Sequence, residues 1–439
     1  MKKSSLLKLS VYISGLNIIG KMLGYLIPFF IASFFGVNSN IDVFFYAYGL
    51  IFFLAMIFSS TMESIIVPII SELNHDEDIK FKDNFVFEAC LYLFIALSFC
   101  LVIFYFLFPL LQLITQFSSL QLKLLKTFYV EFCPFVFFLC YSALFSGILN
   151  ANKLFWAPAI APGLRAVIAI VTMVTLKNRF ELHSIIFAYT FGELIRLLFL
   201  ISLVYQKQFI KIKTSFSFNK RTMELFKNAM FMILGTVVVG LNPIIDNTFA
   251  SWLSEGSISL VEYSSKIVAV PYNLLAFGLF VVFLSHLSET LHSKGIESFR
   301  QTITSYIKPI SLISFIISLG IIFYSDIITN LFFSFADIKQ QDINTVKNLT
   351  IITMIGFTPY MIIQTYIRGF IALKETKYLL WISCWKVCLN IIFDLIFVPQ
   401  WGIYGIKIAS TTLDIVLLIV VITYFKKMMN KKGYATSKS

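Results

Sequence analysis

The chain has 439 residues, 58% of them apolar and only 13% charged, with a mean hydropathy of +0.85. Soluble domains carry about 25% charged residues, so a water-soluble fold is excluded. A net charge of +12 would suit a nucleic-acid binder, but the basic residues cluster between long apolar runs, which makes them topogenic and lipid-headgroup features instead.

In lipid every backbone polar group must be bonded internally, which leaves helices or a closed barrel. Apolar runs of about twenty residues recur, and this selects helices over alternating barrel strands. Twelve spans are expected, at 7–36, 41–72, 85–115, 124–150, 155–176, 183–205, 223–253, 259–287, 309–333, 345–371, 376–397 and 401–425. Residues 1–8 are basic, but the apolar run behind them is too long for a signal h-region, so the first span is expected to be retained. At about 1.5 Å per residue it exceeds the ~30 Å hydrocarbon core, and it must tilt, bend or project. Gly15, Gly20, Gly24 and Pro28 offer places to bend, and Gly20-x-x-x-Gly24 allows close helix packing.

With the N-terminus inside, cytoplasmic segments hold 20 Lys and Arg, against six toward the other side (Lys123, Lys126, Lys177, Arg179, Lys339 and Lys347). That bias predicts two cytoplasmic termini. The cysteines at 90, 100, 133, 140, 384 and 388 fall in apolar spans without metal-ligand spacing, and read as small packing residues.

The longest cytoplasmic connection, 206–222, follows the sixth span. It predicts an N-terminal six-helix lobe at 1–205, a linker at 206–222, a C-terminal six-helix lobe at 223–425 and a basic cytoplasmic tail at 426–439. An internal repeat agrees. Ile31-Ala32-Ser33-Phe34-Phe35 recurs as Phe249-Ala250-Ser251-Trp252-Leu253, an offset of 218, and Ile70-Ser71-Glu72-Leu73 recurs as Leu287-Ser288-Glu289-Thr290, an offset of 217. Six spans separate the copies, so the halves are parallel repeats about an axis along the membrane normal.

No Walker A motif is present and His75, His183, His286 and His292 lack zinc-ligand spacing, so a transporter is expected rather than an enzyme. What remains is a sparse set of charges inside spans, each costing from ~2.5 to over ~10 kcal/mol unless it meets a partner or a wet cavity. Lys21 and Lys266 are the anion-binding candidates, suited to a phosphate or diphosphate. The alternative for Lys266 is a local pair with Glu262, four residues back on the same face, and for Lys21 snorkelling to the cytoplasmic surface. Arg165, Glu193, Arg196, Glu131, Arg368, Lys386 and Lys407 are read as structural, with Glu193 and Arg196 pairing at i,i+3. An oxygen-rich set forms a second constellation: Asp246, then Asn390 and Asp394 on one face of the eleventh span, then Ser410, Thr411 and Asp414. It would suit Na⁺ at Asp246, Asn390 and Asp394, or a proton on a buried carboxylate, or simple hydrogen bonding between helices.

The residues resemble those of the MurJ/MviN lipid II flippases of the MOP exporter superfamily. The most specific segment is Ser146-Gly-Ile-Leu-Asn-Ala-Asn-Lys-Leu-Phe-Trp-Ala-Pro-Ala-Ile-Ala-Pro162, similar to the family's GILxAxxxFxxPAxxP. The hairpin with Asp246, Phe249-Ala250-Ser251, Gly256-Ser257, Tyr263 and Pro271 is similar to the family's seventh and eighth helices, and Arg368 to Lys377 and Asn390 to Thr411 also fit. The resemblance implies an all-α fold of two six-helix lobes around a V-shaped cavity. It implies a lipid-linked saccharide diphosphate as cargo, moved by alternating access, and a cation site in the second lobe at Asp246, Asn390, Asp394 and Ser410. It places Lys266 where the family has an arginine in helix 8, Lys21 at the first arginine of the helix 1 pattern, and Asp42 at the aspartate opening helix 2.

The chain departs from the family at three points. Ile27 stands at the second helix 1 arginine, the helix 2 arginines give way to apolar residues around Leu50 to Ala55, and lysine replaces arginine twice. Twelve spans are expected where the family often has fourteen. The expectation is therefore a bacterial cytoplasmic-membrane flippase for a polyprenyl-diphosphate-linked saccharide, lipid II-like or another cell-envelope precursor. Its partners would be that cargo, membrane lipids and cell-envelope synthesis enzymes, with Na⁺ or H⁺ as the coupling ion and no other cofactor. Two alternatives are a cation-coupled multidrug exporter of the same superfamily, which would have an acidic cavity, and a non-transporting membrane scaffold.

Overall fold

A computed structural model describes residues 15–436 apart from 19, 75–78, 211–236, 239, 277–279, 335, 337 and 374. Among the described residues helix is the only regular secondary structure, and ten helices are long and apolar enough to cross a membrane. The chain divides into two compact units, Met1–Gly240 and Leu241–Ser439.

The first unit begins with α1 (Gly15–Phe35), which carries a turn at Tyr25. It stops at Gly36, whose φ of 66° favours a residue without Cβ. The next helix, α2 (Ser39–Leu73), starts where the Asn38 side chain accepts from the Asn40 and Ile41 amides, two of the donors a helix start leaves unpaired. α2 is the most buried span and packs along α5 (Ser119–Ala151). Cys140 Sγ meets the Ala55 carbonyl across that seam at 3.6 Å, and the other cysteines are likewise free thiols.

The third expected span, 85–115, is two helices, α3 (Ile79–Phe106) and α4 (Phe108–Ile114). Pro109, in the first turn of α4, has no N–H to return to the carbonyl of Tyr105, so the helical hydrogen-bond ladder is interrupted where the two helices part. α6 (Trp156–Phe180) and α7 (His183–Gln206) pack on each other and approach closely at Gly192, where an added Cβ would meet the Arg165 carbonyl oxygen at 2.7 Å. α1 crosses α6 just as closely: a Cβ on Gly20 would lie 3.0 Å from the Ala159 carbonyl oxygen, and one on Gly163 would lie 3.0 Å from Gly20 Cα. Residues 211–222 of the expected linker and the first part of the seventh span, to 236, lie outside the described residues.

The second unit opens with α8 (residues 241–250), a turn, and α9 (Ser257–Leu275), whose N-cap Gly256 has φ 88°. Its α8–α9 hairpin repeats the α1–α2 hairpin, with a positive-φ glycine in each turn. α10 (Val281–Phe323) is kinked at Gly295 (φ 78°, ψ −175°). The ninth span was expected at 309–333, but the helix already runs from just after the kink and ends at Phe323, followed by α11 (Ser325–Phe332). The segment 296–308 is too polar to register as a span, yet it presents a buried apolar stripe through Phe299 and Ile303.

α12 (Gln340–Ala372), α13 (Thr376–Trp401) and α14 (Ile403–Thr436) complete the unit. α14 continues well past the expected end of the last span, into the basic tail. Phe280, Phe283, Phe299, Phe357, Phe370 and Phe425 fill the core. Gly356 lets α12 lie against Thr411 of α14, whose hydroxyl donates to the Ile352 carbonyl at 2.9 Å. Thr411 is thus a helix-to-helix tie.

Candidate substrate and cation sites

In the first unit, the glycine crossings of α6 with α1 and α7 bring three basic side chains to one cavity of about 690 Å³. Lys21 comes from α1, Arg165 from α6 and Arg196 from α7, and Glu63, Ser59, Ser146 and Asn150 also line the space. Glu193 anchors the arginines. It is 0% exposed and accepts from Arg196 Nη1 at 2.9 Å on one oxygen and from Arg165 Nη1 at 3.4 Å on the other. One carboxylate thus orients two guanidiniums. The Nε atoms of both arginines are buried and donate to nothing among the described residues. Lys21 lies in electrostatic reach of Glu63 and Arg196. With three cations against Glu63 and Glu193, the cavity carries an excess of one positive charge.

The expected Glu193–Arg196 pair is present, but the reading of Arg165 and Arg196 as purely structural missed their cavity faces. Arg165 was the harder of the two to place, because its partner is 28 residues away on another helix. Glu131 and Arg368 also meet partners from other helices: His183 Nδ1 at 2.8 Å and the Phe280 ring, 5.5 Å to its centroid.

Asp42 is not brought to this cavity. It is buried in the first turn of α2, 21 residues before Glu63, which is about 30 Å along a helix. A carboxylate in that turn complements the partial positive charge of the helix start.

In the second unit, Lys266 Nζ pairs with Glu262 at 3.1 Å, the local alternative open from the sequence, and Asn247 donates to the other Glu262 oxygen at 3.1 Å. The second constellation does assemble. Asn390 Nδ2 donates to Asp246 Oδ1 at 2.8 Å and to Asp394 Oδ2 at 2.9 Å, while the Ser410 hydroxyl, with one proton to give, faces the Ile406 carbonyl at 3.1 Å and Asp246 Oδ2 at 3.5 Å. Three helices, α8, α13 and α14, meet there. Asp394 is fully buried and its Oδ1 accepts no hydrogen bond among the described residues.

Tested as a Na⁺ site, this set fits poorly. Hard cations need several open oxygen donors, whereas Asn390 turns its nitrogen inward and takes up one oxygen of each carboxylate. Among the described residues no cluster of three or more His, Cys, Asp or Glu side chains could hold a metal ion. Lys407, read from sequence as structural, is 5% exposed and its Nζ donates to Ser265 Oγ at 2.8 Å, within electrostatic reach of Asp246, Glu262 and Asp394 but paired with none of them. Ser265 and Asp414 line a separate cavity of about 230 Å³, so Asp414 belongs to that space.

Comparison with known proteins gives one consistent family. A family-wide sequence profile described as "Lipid II flippase MurJ" matches residues 31–438. The chain is 26% identical over 417 residues to the lipid II flippase MurJ of Thermosipho africanus, covering 94% of this chain and 84% of that one. It is 24% identical over 415 residues to a probable lipid II flippase MurJ of Buchnera aphidicola, covering 90% and 79%. Among solved structures, a lipid II flippase MurJ in an inward closed conformation superposes with a TM-score of 0.82 at 24% identity, over 95% of this chain and 87% of that one. An inward-facing multidrug transporter of the MATE family and MOP superfamily superposes with a TM-score of 0.73 at 15% identity, over 96% and 94%.

Proposed function

The chain belongs to the lipid II flippase MurJ family, and from that premise we propose that it moves a polyprenyl-diphosphate-linked saccharide, lipid II or a related cell-envelope precursor, across the bacterial cytoplasmic membrane by alternating access. It is a multi-pass membrane transporter, not an enzyme. The observation that carries the cargo assignment is the cationic cavity of the first unit. Guanidinium forks match phosphate oxygens in pairs, whereas lysine acts as a point charge. Arg165 and Arg196 therefore supply the bidentate chemistry that the helix 1 and helix 2 arginines of the family are expected to supply. Lys21 adds charge at the cavity wall. The local pair with Glu262 orients Lys266 as the second unit's anion contact. The acidic cluster at Asp246, Asn390, Asp394 and Ser410 carries the charge that couples the cycle to the membrane potential, worth about 2.3 kcal/mol per elementary charge per 100 mV.

This reading places both termini in the cytoplasm and makes cell-envelope synthesis enzymes the source and destination of the cargo. The multidrug alternative predicts an acidic cavity for cationic drugs, and the first-unit cavity has the opposite sign. Translocation of a fluorescent polyprenyl-diphosphate saccharide in proteoliposomes tests the reading. Lys21→Ala and Arg196→Ala are each expected to slow translocation about tenfold or more, and Arg196→Lys to rescue it only partly because the planar fork is lost. Wild-type rates in all three variants would sink the diphosphate assignment.

A further inference from the structure

The cavity that gathers Lys21, Arg165 and Arg196 has an aromatic wall as well. Phe52 of α2 and Phe155, in the turn between α5 and α6, line the same space. Phe52 is 38% exposed, and it is the one exposed large apolar side chain of α2. An exposed phenylalanine on a membrane helix ordinarily meets lipid, but this one borders a cavity with three cations. Its ring is also held. Tyr48, one turn earlier, stacks on it with 5.5 Å between centroids and 20° between planes, and Tyr48 in turn lies 4.9 Å from the Tyr189 ring of α7. A ring fixed in this way loses little further freedom when a ligand arrives.

Uncharged polar groups complete the lining, among them Ser59, Ser60 and Ser146. The Ser59 and Ser60 hydroxyls donate to carbonyls of their own helix, Met56 and Ile57, at 3.3 Å each, which leaves their oxygens to accept. Ser146 is 5% exposed, and its Oγ makes no hydrogen bond among the described residues. A buried hydroxyl without a partner at a cavity wall points to a ligand group or a water. A space of about 690 Å³ takes a ligand of drug size, more than a bare diphosphate fills. A pyranose matches this wall. Its faces carry C–H groups that meet the negative face of an aromatic ring, and its rim carries hydroxyls that serine oxygens can bond. A prenyl chain matches it poorly, because it would leave the three serines against hydrocarbon.

We propose that Phe52 is the stacking platform for the sugar joined to the cargo's diphosphate, so that the first-unit cavity reads the saccharide as well as the phosphates. The sugar's place beside a diphosphate rests on the flippase reading; the aromatic wall and the open serine hydroxyls do not depend on it.

The experiment is isothermal titration of the purified full-length protein in detergent with three probes: inorganic pyrophosphate, farnesyl diphosphate and N-acetylglucosamine 1-diphosphate. Wild type is expected to bind the sugar diphosphate about fivefold more tightly than pyrophosphate. Phe52→Leu keeps an apolar side chain without a ring. It is expected to lose that preference and to bind the other two probes within about twofold of wild type. Phe52→Tyr keeps the ring and is expected to keep the preference. An unchanged sugar preference in Phe52→Leu overturns the proposal, and so does a wild type with no such preference. An equal loss of farnesyl diphosphate binding in Phe52→Leu also overturns it, since the wall would then hold the prenyl chain. If Phe52→Leu does not fold, Phe52→Met takes its place and is held to the same outcomes. The flippase reading fails separately. Wild-type proteoliposomes that flip no lipid-linked diphosphate saccharide refute that reading, and a Phe52-dependent sugar preference beside that result leaves the platform in place.

Discussion

Glu193 takes one guanidinium on each of its oxygens with no exposure to solvent, so its charge is what keeps two arginines in place. Removing one member of a buried ionic set is far more damaging than its net worth suggests, because the partners stay behind uncompensated. Glu193→Gln is expected to destabilise the first unit by about 2–3 kcal/mol, less than a fully buried set would show because both arginines are partly exposed. This would appear as a lowered unfolding midpoint in detergent. An unchanged midpoint would mean that the arginines are held by something else. Part of this triad was legible in the chain: Glu193 and Arg196 are three residues apart, and helical geometry alone makes them neighbours. Arg165 was not legible, since no local rule links residues 28 positions apart. The same holds for Lys407, whose hydrogen-bond partner Ser265 is 142 residues distant.

At the scale of the helix, two close crossings decide where the cationic side chains go. Gly192 admits the Arg165 backbone carbonyl, and any Cβ there must push α6 away from α7. Gly192→Ala is expected to lower the unfolding midpoint by several degrees and to reduce translocation, because Arg165 moves off Glu193. Gly320→Ala, where an added Cβ meets open space, is the control and is expected to unfold like wild type. Equal midpoints for the two variants would refute the close-crossing account. Of the expected Gly20-x-x-x-Gly24 packing face, only Gly20 lies close against another helix, at Ala159 and Gly163 of α6, while Gly24 meets only the Arg165 side chain at 4.0 Å. Helix ends were less legible than helix existence. Apolar counting missed the break at Leu107 and began the ninth span late, because hydropathy registers lipid-facing segments while segment 296–308 is polar except for one buried stripe.

At the scale of the whole molecule, the Lys and Arg asymmetry predicts that both termini lie in the cytoplasm. A fluorescent protein fused at the C-terminus is expected to fold and fluoresce in the cytoplasm. Alkaline phosphatase fused after Phe180 is expected to be active, and after Gln206 inactive. The opposite pattern would invert the orientation.

By itself the sequence determined that this is a helical membrane protein, roughly where its spans lie, and that Asn390 and Asp394 share one helix face. Hydropathy, charge bias and i,i+4 spacing are local quantities and survive in one dimension. Only the tertiary structure decided that Arg165 joins Lys21 and Arg196 at one cavity, that Asp42 stays apart from it, and that Asp246 meets Asn390 from another helix. Burial is costly for a charge until a partner arrives from another helix, and which helix brings that partner is settled by packing.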